Sequence, residues 1–351
     1  MEKVDSITKM KPLIIAHAED PDGIIARALK MRHYSMTAGN PDEHIFVRYD
    51  RIVEAFQEAA TQADRYDTIF VGDVDLNPKL VQAGGSDFSL IEKLAKGRSM
   101  AWYDHHSGTL KHKEKLEQLG INVIHHDNYC AAMLIDVAHG LSERLLQRNQ
   151  DDPYEKRLAK IAQAHDYKNN SSEHKNIKIG DELEKIISLA NENLNYGLLL
   201  DLSCALRDEK CLDEDFNLLP SWQQYATEFD RRSGEAYQEL DNAVEISTIE
   251  DNQVLFGYCS PLLSQKPGSF YLRKQYQDQA DIFVCLFKSP VRNHIILTKE
   301  KSSFPVVPLL QSLGGGGRGN GGGFSLDFDI VPENYSSVKE MLLSRIEQYS
   351  K

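Results

Sequence analysis

The sequence predicts an α/β protein of two domains: an N-terminal domain built on a parallel sheet and a smaller C-terminal α/β domain. Two observations favour this fold class. The first half alternates short apolar runs with segments of helical spacing, and a second strand-rich region follows a long helical stretch. With 351 residues, 41% of them apolar, the chain is long enough for two packed cores at about 150 residues per domain.

The first half contains short apolar runs that have the length of buried strands. They lie at residues 13–16, 68–71, 99–103 and 121–124. Two segments with helix-like spacing, 23–31 and 52–63, lie between the first run and the second. Buried strands separated by helices are typical of βαβ units, so we expect a parallel sheet that is covered on both faces.

The rest of the chain is predicted to be helical first and then mixed. Helical patterns cover 131–146, 154–165, 181–194 and 222–240. Strands follow at 243–249, 254–258, 280–288, 294–299 and 324–330, with helices at 267–277 and 336–349. We therefore place the first domain at 1–175, a helical connector at 176–240 and the second domain at 241–351.

Charge and composition argue against several classes of partner. The 40 basic and 53 acidic residues give a net charge of −13, whereas a protein that grips a long nucleic acid normally has a basic surface. No apolar run approaches the ~18 residues that cross a bilayer. The polar start does not resemble a secretory signal, and five cysteines without a CxxC pair are typical of reduced thiols. We expect a cytoplasmic protein without a membrane or long nucleic acid partner.

Acidic residues and histidines follow three of the predicted strands. The first strand leads into 17–23, the second into Asp73 and Asp75, and the third into 104–106. Since the carboxyl ends of parallel strands face a common crevice, these side chains are predicted to share one small volume. Carboxylates at such distances repel one another unless cations lie between them. Carboxylate and imidazole donors suit Mn²⁺, Zn²⁺ or Fe²⁺.

Each segment also has a plainer interpretation. Asp22, before the helix-like stretch at Gly23, fits the role of a helix cap, and Asp75 fits a turn or cap. The pair His125 and His126 fits an exposed surface. The three segments at successive strand ends, taken together, favour a metal site.

These residues resemble the DHH phosphoesterase family, which is named for the signature matched by Asp104-His105-His106. In the branch that degrades short oligonucleotides, the first motif is His-x-x-Asp-x-Asp. His17, Asp20 and Asp22 match that motif, Asp73 followed by Asn77 matches the second, and Asp166 matches the fourth. Asp127 and Asp136 are alternatives for the fourth motif.

The resemblance extends to the C-terminal half. The associated domain of these enzymes carries Gly-Gly-Gly-His-x-x-Ala-Ala-Gly, and the glycine-rich residues 315–323 lie in register with it. Arg318 stands in place of the usual histidine, and glycines replace both alanines. Glycine N–H groups and an arginine suit an anion, so the predicted substrate contacts are the following: Gly315, Gly316, Gly317, Arg318, Asn320 and, elsewhere in the domain, Arg292. A flexible linker is the alternative interpretation of the stretch.

The resemblance implies two divalent ions, with Mn²⁺ first and Mg²⁺ or Co²⁺ as alternatives. One ion would be held by His17, Asp20 and Asp73. The second would be held by Asp22, Asp73, His105 and Asp166, with Asp73 bridging the two and a bridging hydroxide as the nucleophile. His106 would contact the phosphate or protonate the leaving group, and Asp104 would orient a neighbouring histidine.

The resemblance therefore implies a phosphodiesterase that cleaves short linear oligoribonucleotides in a cleft between its two domains. Dinucleotides such as pGpG or pApA, cut to 5′-mononucleotides, are the expected substrates, and a homodimer is possible. Alternatives on the same fold are a cyclic dinucleotide phosphodiesterase and a phosphoadenosine-phosphate phosphatase. A processive exonuclease of the RecJ type and a family II pyrophosphatase fit less well. A non-catalytic nucleotide sensor is the alternative from another class.

Overall fold

A five-stranded parallel sheet organises the first half of the chain. The computed structural model describes residues 11–34, 43–145, 152–168, 171–263 and 266–350. The strands are β1 (Pro12–His17), β2 (His44–Val47), β3 (Thr68–Gly72), β4 (Ser99–Asp104) and β5 (Ile121–His125). Their spatial order is β2-β1-β3-β4-β5, and every neighbouring pair is parallel. The α/β architecture predicted from the sequence is confirmed.

The helices of this half cover both faces of the sheet. They are α1 (Pro21–His33), α2 (Ile52–Gln62), α3 (Pro78–Val81), α4 (Ser89–Ala95), α5 (Ser107–Lys111), α6 (Lys113–Gln118), α7 (Ala131–Leu145), α8 (Pro153–Asp166), α9 (His174–Glu192), α10 (Tyr196–Arg207) and α11 (Pro220–Asn242). Ile14 and Ala16 of β1 lie in one core with α1 and α7–α10. Leu13 and Ile15 lie in the other core, with α2, α3, α4 and α6. Alternate residues of β1 thus bury both of its faces, as expected of a covered parallel strand.

The strand register brings the carboxyl ends of the sheet together. Ala16 pairs with Gly72, Gly72 pairs with Tyr103, and Asp104 pairs with His125. The residues that follow β1, β3 and β4 therefore leave the sheet at one edge. This register places the three predicted polar segments side by side.

The chain divides into two compact units. The first contains residues up to 190 together with 195–226, and the second contains 191–194 and 227–351. In the second unit, strands form a six-stranded mixed sheet in the order β10-β11-β9-β8-β7-β6. They are β6 (Glu245–Ile249), β7 (Asn252–Cys259), β8 (Ile282–Phe287), β9 (Asn293–Thr298), β10 (Gly316–Arg318) and β11 (Gly321–Ser325). Among these described strands, β7 and β8 pair in parallel and the other neighbours pair antiparallel.

Helices cover both faces of the second sheet as well. They are α12 (Lys266–Gln275), α13 (Val306–Ser312) and α14 (Pro332–Ser350). Phe256 and Val284 share a core with α13 and α14, whereas Leu255 and Phe283 share one with α12 and the last turns of α11. Within the described residues, no helix combines the length and apolarity that a membrane span requires.

The glycine-rich stretch is a pair of strands, which corrects the sequence-based expectation of a loop followed by a strand at 324–330. β10 and β11 pair antiparallel, with Gly317 opposite Gly322. A Cβ atom on Gly317 would lie 2.4 Å from the carbonyl oxygen of Gly321, and one on Gly322 would lie 2.2 Å from that of Gly316. Glycine in a strand often marks such a close backbone approach, which composition alone does not distinguish from a flexible segment.

Candidate metal centre

The first group of donor atoms stands where β1 gives way to α1. His17 is the last residue of β1, and Asp20 caps α1 by accepting a hydrogen bond from the Gly23 amide at 3.1 Å. His17 Nδ1 lies 3.0 Å from Asp20 Oδ2 and 3.2 Å from Asp73 Oδ2. A buried imidazole and two carboxylates thus converge on one point.

Asp73 joins this group to a second one. It follows β3 directly and has a φ of 57°, a left-handed conformation that is uncommon for a residue with a side chain. Its amide donates to the carbonyl of Tyr103 at 2.9 Å. Its Oδ2 faces His17, while its Oδ1 lies 3.4 Å from His105 Nε2 and 3.9 Å from His106 Nδ1. One buried carboxylate therefore faces two groups of potential metal ligands. A strained backbone conformation at such a position is typical of functional sites.

The second group comes from the end of β4 and the end of α8. Asp104 is fully buried, and its Oδ1 lies 2.7 Å from His106 Nδ1, which fixes the orientation of that ring. His105 Nδ1 lies 3.6 Å from Asp166 Oδ2 and 3.1 Å from the hydroxyl of Tyr167. Asp166, rather than Asp127 or Asp136, is the carboxylate that faces His105: Asp127 pairs with His125 at 3.6 Å, and Asp136 lies within α7.

Asp22 has a different set of contacts. Its carboxylate is buried and accepts hydrogen bonds from the amides of Ala131 at 2.7 Å and Ala132 at 2.8 Å. It therefore caps the N-terminus of α7. The alternative interpretation, in which Asp22 caps its own helix, is wrong because Asp20 has that role. Both oxygens of Asp22 retain lone pairs.

The polar residues that surround the centre shift its pKa values. Burial acts to lower the pKa of His105, but Asp73, Asp22 and Asp166 outweigh burial and raise it to about 10. Burial likewise opposes a rise in the pKa of His106, which its contact with Asp104 nevertheless raises to about 9. The pKa of His17 is raised well above its ordinary value against the effect of burial, chiefly by Asp20. The cluster therefore carries more negative charge than its surroundings neutralise.

These features fit divalent cations. Two of the four groups of potential ligand atoms in the described residues share Asp73: His17 with Asp20 and Asp73, and Asp73 with Asp104, His105 and His106. Within the described part of the chain, the buried atoms His17 Nε2 and Asp104 Oδ2 have no hydrogen-bond partner. Imidazole and carboxylate donors around a shared carboxylate suit Mn²⁺ and Zn²⁺.

Metal affinity is expected to rise with pH. A histidine must be neutral to bind a metal, and because the pKa of His105 is raised to about 10, its ring carries a proton at neutral pH. Each proton that binding displaces contributes about tenfold in affinity per pH unit. We expect the affinity for Mn²⁺, measured by titration calorimetry, to rise at least about tenfold from pH 6 to pH 7. An affinity that stays constant over this interval would contradict the assignment of His105 as a ligand.

Three residues close to the centre escaped the sequence analysis. Glu19 Oε2 lies 3.5 Å from His17 Nε2 and accepts from the Tyr49 amide at 3.1 Å, while Oε1 lies 3.9 Å from Arg48 Nη2. Burial acts to raise the pKa of Glu19, but His17 and Arg48 lower it to about 2. The Tyr49 ring centroid is 4.7 Å from that of His17. Arg48 and Tyr49 follow β2, a strand of four residues that the sequence patterns do not predict, so their position at a strand end could not be expected.

Asp75 binds the backbone at the start of a helix. Its Oδ1 accepts from the amide of Thr109 at 3.2 Å and so holds the N-terminus of α5. A Cβ on Gly108 would lie 2.3 Å from the same oxygen, so the helix start fits closely over it. These contacts agree with the turn or cap interpretation.

The candidate substrate residues of the second unit have partners of their own. Gly315, Gly316 and Gly317 lie at and before β10, and the side chain of Arg318 lies outside the described part of the structure. Asn320 accepts from the Thr298 amide at 2.8 Å and donates to the Glu300 carbonyl at 2.7 Å. Arg292 Nε donates to Asp329 Oδ1 at 2.7 Å. Asn320 and Arg292 thus both stabilise turns of this unit.

Comparison with known proteins finds likenesses among solved structures. No family model and no curated protein matches the sequence. The chain is similar to the pGpG-specific phosphodiesterase PggH from Vibrio cholerae, with 12% identity, a TM-score of 0.46, and coverage of 96% of this chain and 99% of that one. It is similar to exonuclease RecJ bound to manganese, with 14% identity, a TM-score of 0.47, and coverage of 97% and 90%. It is also similar to RecJ from Thermus thermophilus in complex with Mg²⁺, with 13% identity, a TM-score of 0.40, and coverage of 99% of this chain and 50% of that one.

Proposed function

We propose that this chain is a metal-dependent phosphodiesterase of the DHH type that hydrolyses short linear oligoribonucleotides to 5′-mononucleotides. Dinucleotides such as pGpG or pApA are its proposed substrates. The observation that carries the proposal is the position of Asp73, whose two carboxylate oxygens face two separate groups of histidine and aspartate donors. A shared carboxylate between two donor groups is the arrangement that two-metal phosphodiester hydrolysis needs.

The proposed ligands divide between the two groups. His17, Asp20 and Asp73 would hold one ion, and Asp73, His105 and Asp166 would hold the other, with the free lone pairs of Asp22 as a further contact. Bound there, the ions would supply an activated water and neutralise the charge of the phosphate. The chain itself holds these donors apart in space before any substrate arrives, because Asp20 and Asp22 are each tied to a helix N-terminus.

His106 is proposed to act on the substrate. Asp104 holds Nδ1 of the ring at 2.7 Å, and the His106 side chain is 33% exposed, more than those of His17 and His105 at 7% and 14%. Because its pKa is raised to about 9, the ring carries a proton at neutral pH. A protonated, oriented imidazole can bind the phosphate and pass a proton to the leaving oxygen.

The proposed substrate is short for reasons of charge. A net charge of −13 disfavours contacts with the many phosphates of a long strand. Two ions held by the chain would neutralise the charge of a single phosphodiester locally. A substrate with one scissile bond gains the whole of this attraction, and a longer strand gains little more.

A length series tests the proposal. Purified full-length protein with Mn²⁺ is given 5′-phosphorylated RNAs of two to ten residues, together with a cyclic dinucleotide and a phosphoadenosine-phosphate. We expect kcat/KM for dinucleotides to exceed that for the longest RNA by at least about tenfold, which corresponds to about 1.4 kcal/mol of transition-state binding.

The products separate the alternatives. Mononucleotides without free phosphate are expected, and all turnover should stop with a chelator. Release of inorganic phosphate would show that the protein is a phosphomonoesterase and not a phosphodiesterase. Preferred cleavage of the cyclic dinucleotide, or equal rates on long RNA, would each contradict the proposed substrate, and the absence of turnover on every compound would favour a sensor.

A further inference from the structure

A second cluster of metal-ligating side chains lies at the far end of α1. His33 is the last residue of α1, His139 lies in α7, and Glu155 lies in the first turn of α8. His33 Nε2 is 3.0 Å and His139 Nδ1 is 3.5 Å from the same oxygen, Glu155 Oε2. Two imidazole nitrogens therefore lie within 3.5 Å of one carboxylate oxygen.

We propose that His33, His139 and Glu155 form a transition-metal site that takes Zn²⁺ and leaves one coordination position open. Two histidines and a glutamate are a ligand set that zinc uses when its fourth position is occupied by water. The site is separate from the centre around Asp73. Asp20 caps one end of α1 and His33 stands at the other, and 13 residues of helix span about 20 Å.

The arrangement of the two rings favours neutral imidazoles. Their centroids are 3.7 Å apart, and their planes differ by 20°. Because each nitrogen directs its lone pair in its own ring plane, the exposed ring of His139 would turn to share an ion with His33. Two stacked imidazolium ions would repel each other strongly at this distance. Burial is the largest influence on His33 and lowers its pKa, in spite of the contact with Glu155. The neutral ring is the form that binds a metal.

Surrounding groups fix the orientation of the carboxylate. Glu155 Oε1 lies 3.1 Å from Arg32 Nε, which leaves Oε2 directed at the histidines. Arg32 in turn contacts Asp152 at 2.5 Å and Glu209 at 2.8 Å. Partners of this kind hold metal ligands in position. Glu155, Asp152 and Glu209 outnumber the cations Arg32 and Lys30 around His33, and this local excess of negative charge favours a further cation.

The three side chains differ in exposure, and the most exposed of them gives an ion access to the site. The side chains of His33 and Glu155 are 9% and 8% exposed, whereas that of His139 is 32% exposed. Two ligands are thus held rigidly inside the unit, and the third stands at the surface. An ion can enter from the His139 side, and its open position would face solvent.

Zinc binding by the full-length chain tests the proposal. Asp73→Asn weakens the other centre, and Zn²⁺ affinity is then measured by competition with a chromophoric chelator. Adding His139→Asn is expected to lower the affinity of the site formed by His33, His139 and Glu155 by more than about 100-fold, since loss of a ligand exceeds the 10–100-fold effect of losing a supporting group. The matched control is His174→Asn, which changes an exposed histidine of α9 and should leave the affinity unaltered.

Two further measurements complete the test. With Co²⁺ in place of Zn²⁺, the strong visible absorption that four-coordinate Co²⁺ shows should disappear in Asp73→Asn/Glu155→Gln, a variant that keeps the shape of the buried side chain. His139→Asn alone should keep Mn²⁺-dependent hydrolysis, so the outcome does not depend on the proposed function. Equal Zn²⁺ affinities, within twofold, with and without His139→Asn would overturn the proposal, as would a Co²⁺ spectrum that survives Glu155→Gln.

Discussion

Asp73→Asn is expected to lower kcat/KM by about 10³-fold or more while the protein stays folded. The carboxylate of Asp73 is the one group in the described residues that faces both His17 and His105, so its loss removes a charged oxygen from each donor group at once. Charge stabilisation of this kind is worth several kcal/mol in a transition state. Asparagine tolerates the left-handed φ of 57° that this position requires, so the substitution changes charge without adding backbone strain.

Two comparison variants sharpen this result. Asp75→Asn changes an aspartate two residues further on, and its amide oxygen can still accept from Thr109, so hydrolysis should stay within a few-fold of the wild type. Asp73→Ala should lose activity to the same extent and also about 1–2 kcal/mol of stability, because alanine resists the left-handed conformation. Steady-state kinetics and circular dichroism measure the two effects. Wild-type turnover in Asp73→Asn would remove the shared-ligand role.

Gly23→Ala is expected to destabilise the first unit by about 3 kcal/mol and to weaken its metal binding. Gly23 lies in the first turn of α1, against the end of β1. A Cβ there would lie 2.3 Å from the carbonyl oxygen of His17 and 2.8 Å from its Cβ. Because the first of these atoms is backbone, β1 and α1 must move apart, and His17 and Asp20 move with them. Chemical denaturation and Mn²⁺ titration measure the two consequences.

The matched control for this variant is Gly140→Ala. Gly140 lies inside α7, and a Cβ there would meet no atom within 4 Å. Alanine is the better helix former, so this substitution should stabilise the protein by about 0.5–1 kcal/mol. Similar stability changes in the two variants would contradict the steric argument for Gly23.

The sequence predicted the part of the centre that depends on strand ends. His17, Asp73 and the segment 104–106 each follow a run of apolar residues, and parallel pairing places such ends at one edge. β2 was missed because it has only four residues, the last of which leads to Arg48. The strands β10 and β11 were not predicted because a glycine-rich composition favours a loop. The need for glycine there comes from the close approach of the two paired backbones, which only the structure shows.

Contacts between distant segments could not be predicted in this way. Asp22 caps a helix that begins 109 residues later, and nothing in its neighbourhood along the chain indicates that partner. Helical spacing predicted part of the segment now seen as α9, but spacing does not say against which core a helix packs. Ile186 of α9 and Leu202 of α10 show that these helices pack in the core formed with α1 and α7. Such contacts depend on tertiary packing, which local patterns do not encode.

In the proposed metal centre, His17 and Asp73 lie 56 residues apart along the chain, so metal supply and the amount of folded protein would be linked. Donors so far apart meet only after β1, β3 and β4 have assembled, so an unfolded chain offers no comparable site. An ion that binds only the folded chain stabilises it by mass action, by about 2.7 kcal/mol at a hundredfold excess over its Kd. A shortage of the proposed metal would therefore lower the abundance of this protein as well as the rate of the proposed hydrolysis, because chaperones and proteases act on the unfolded fraction.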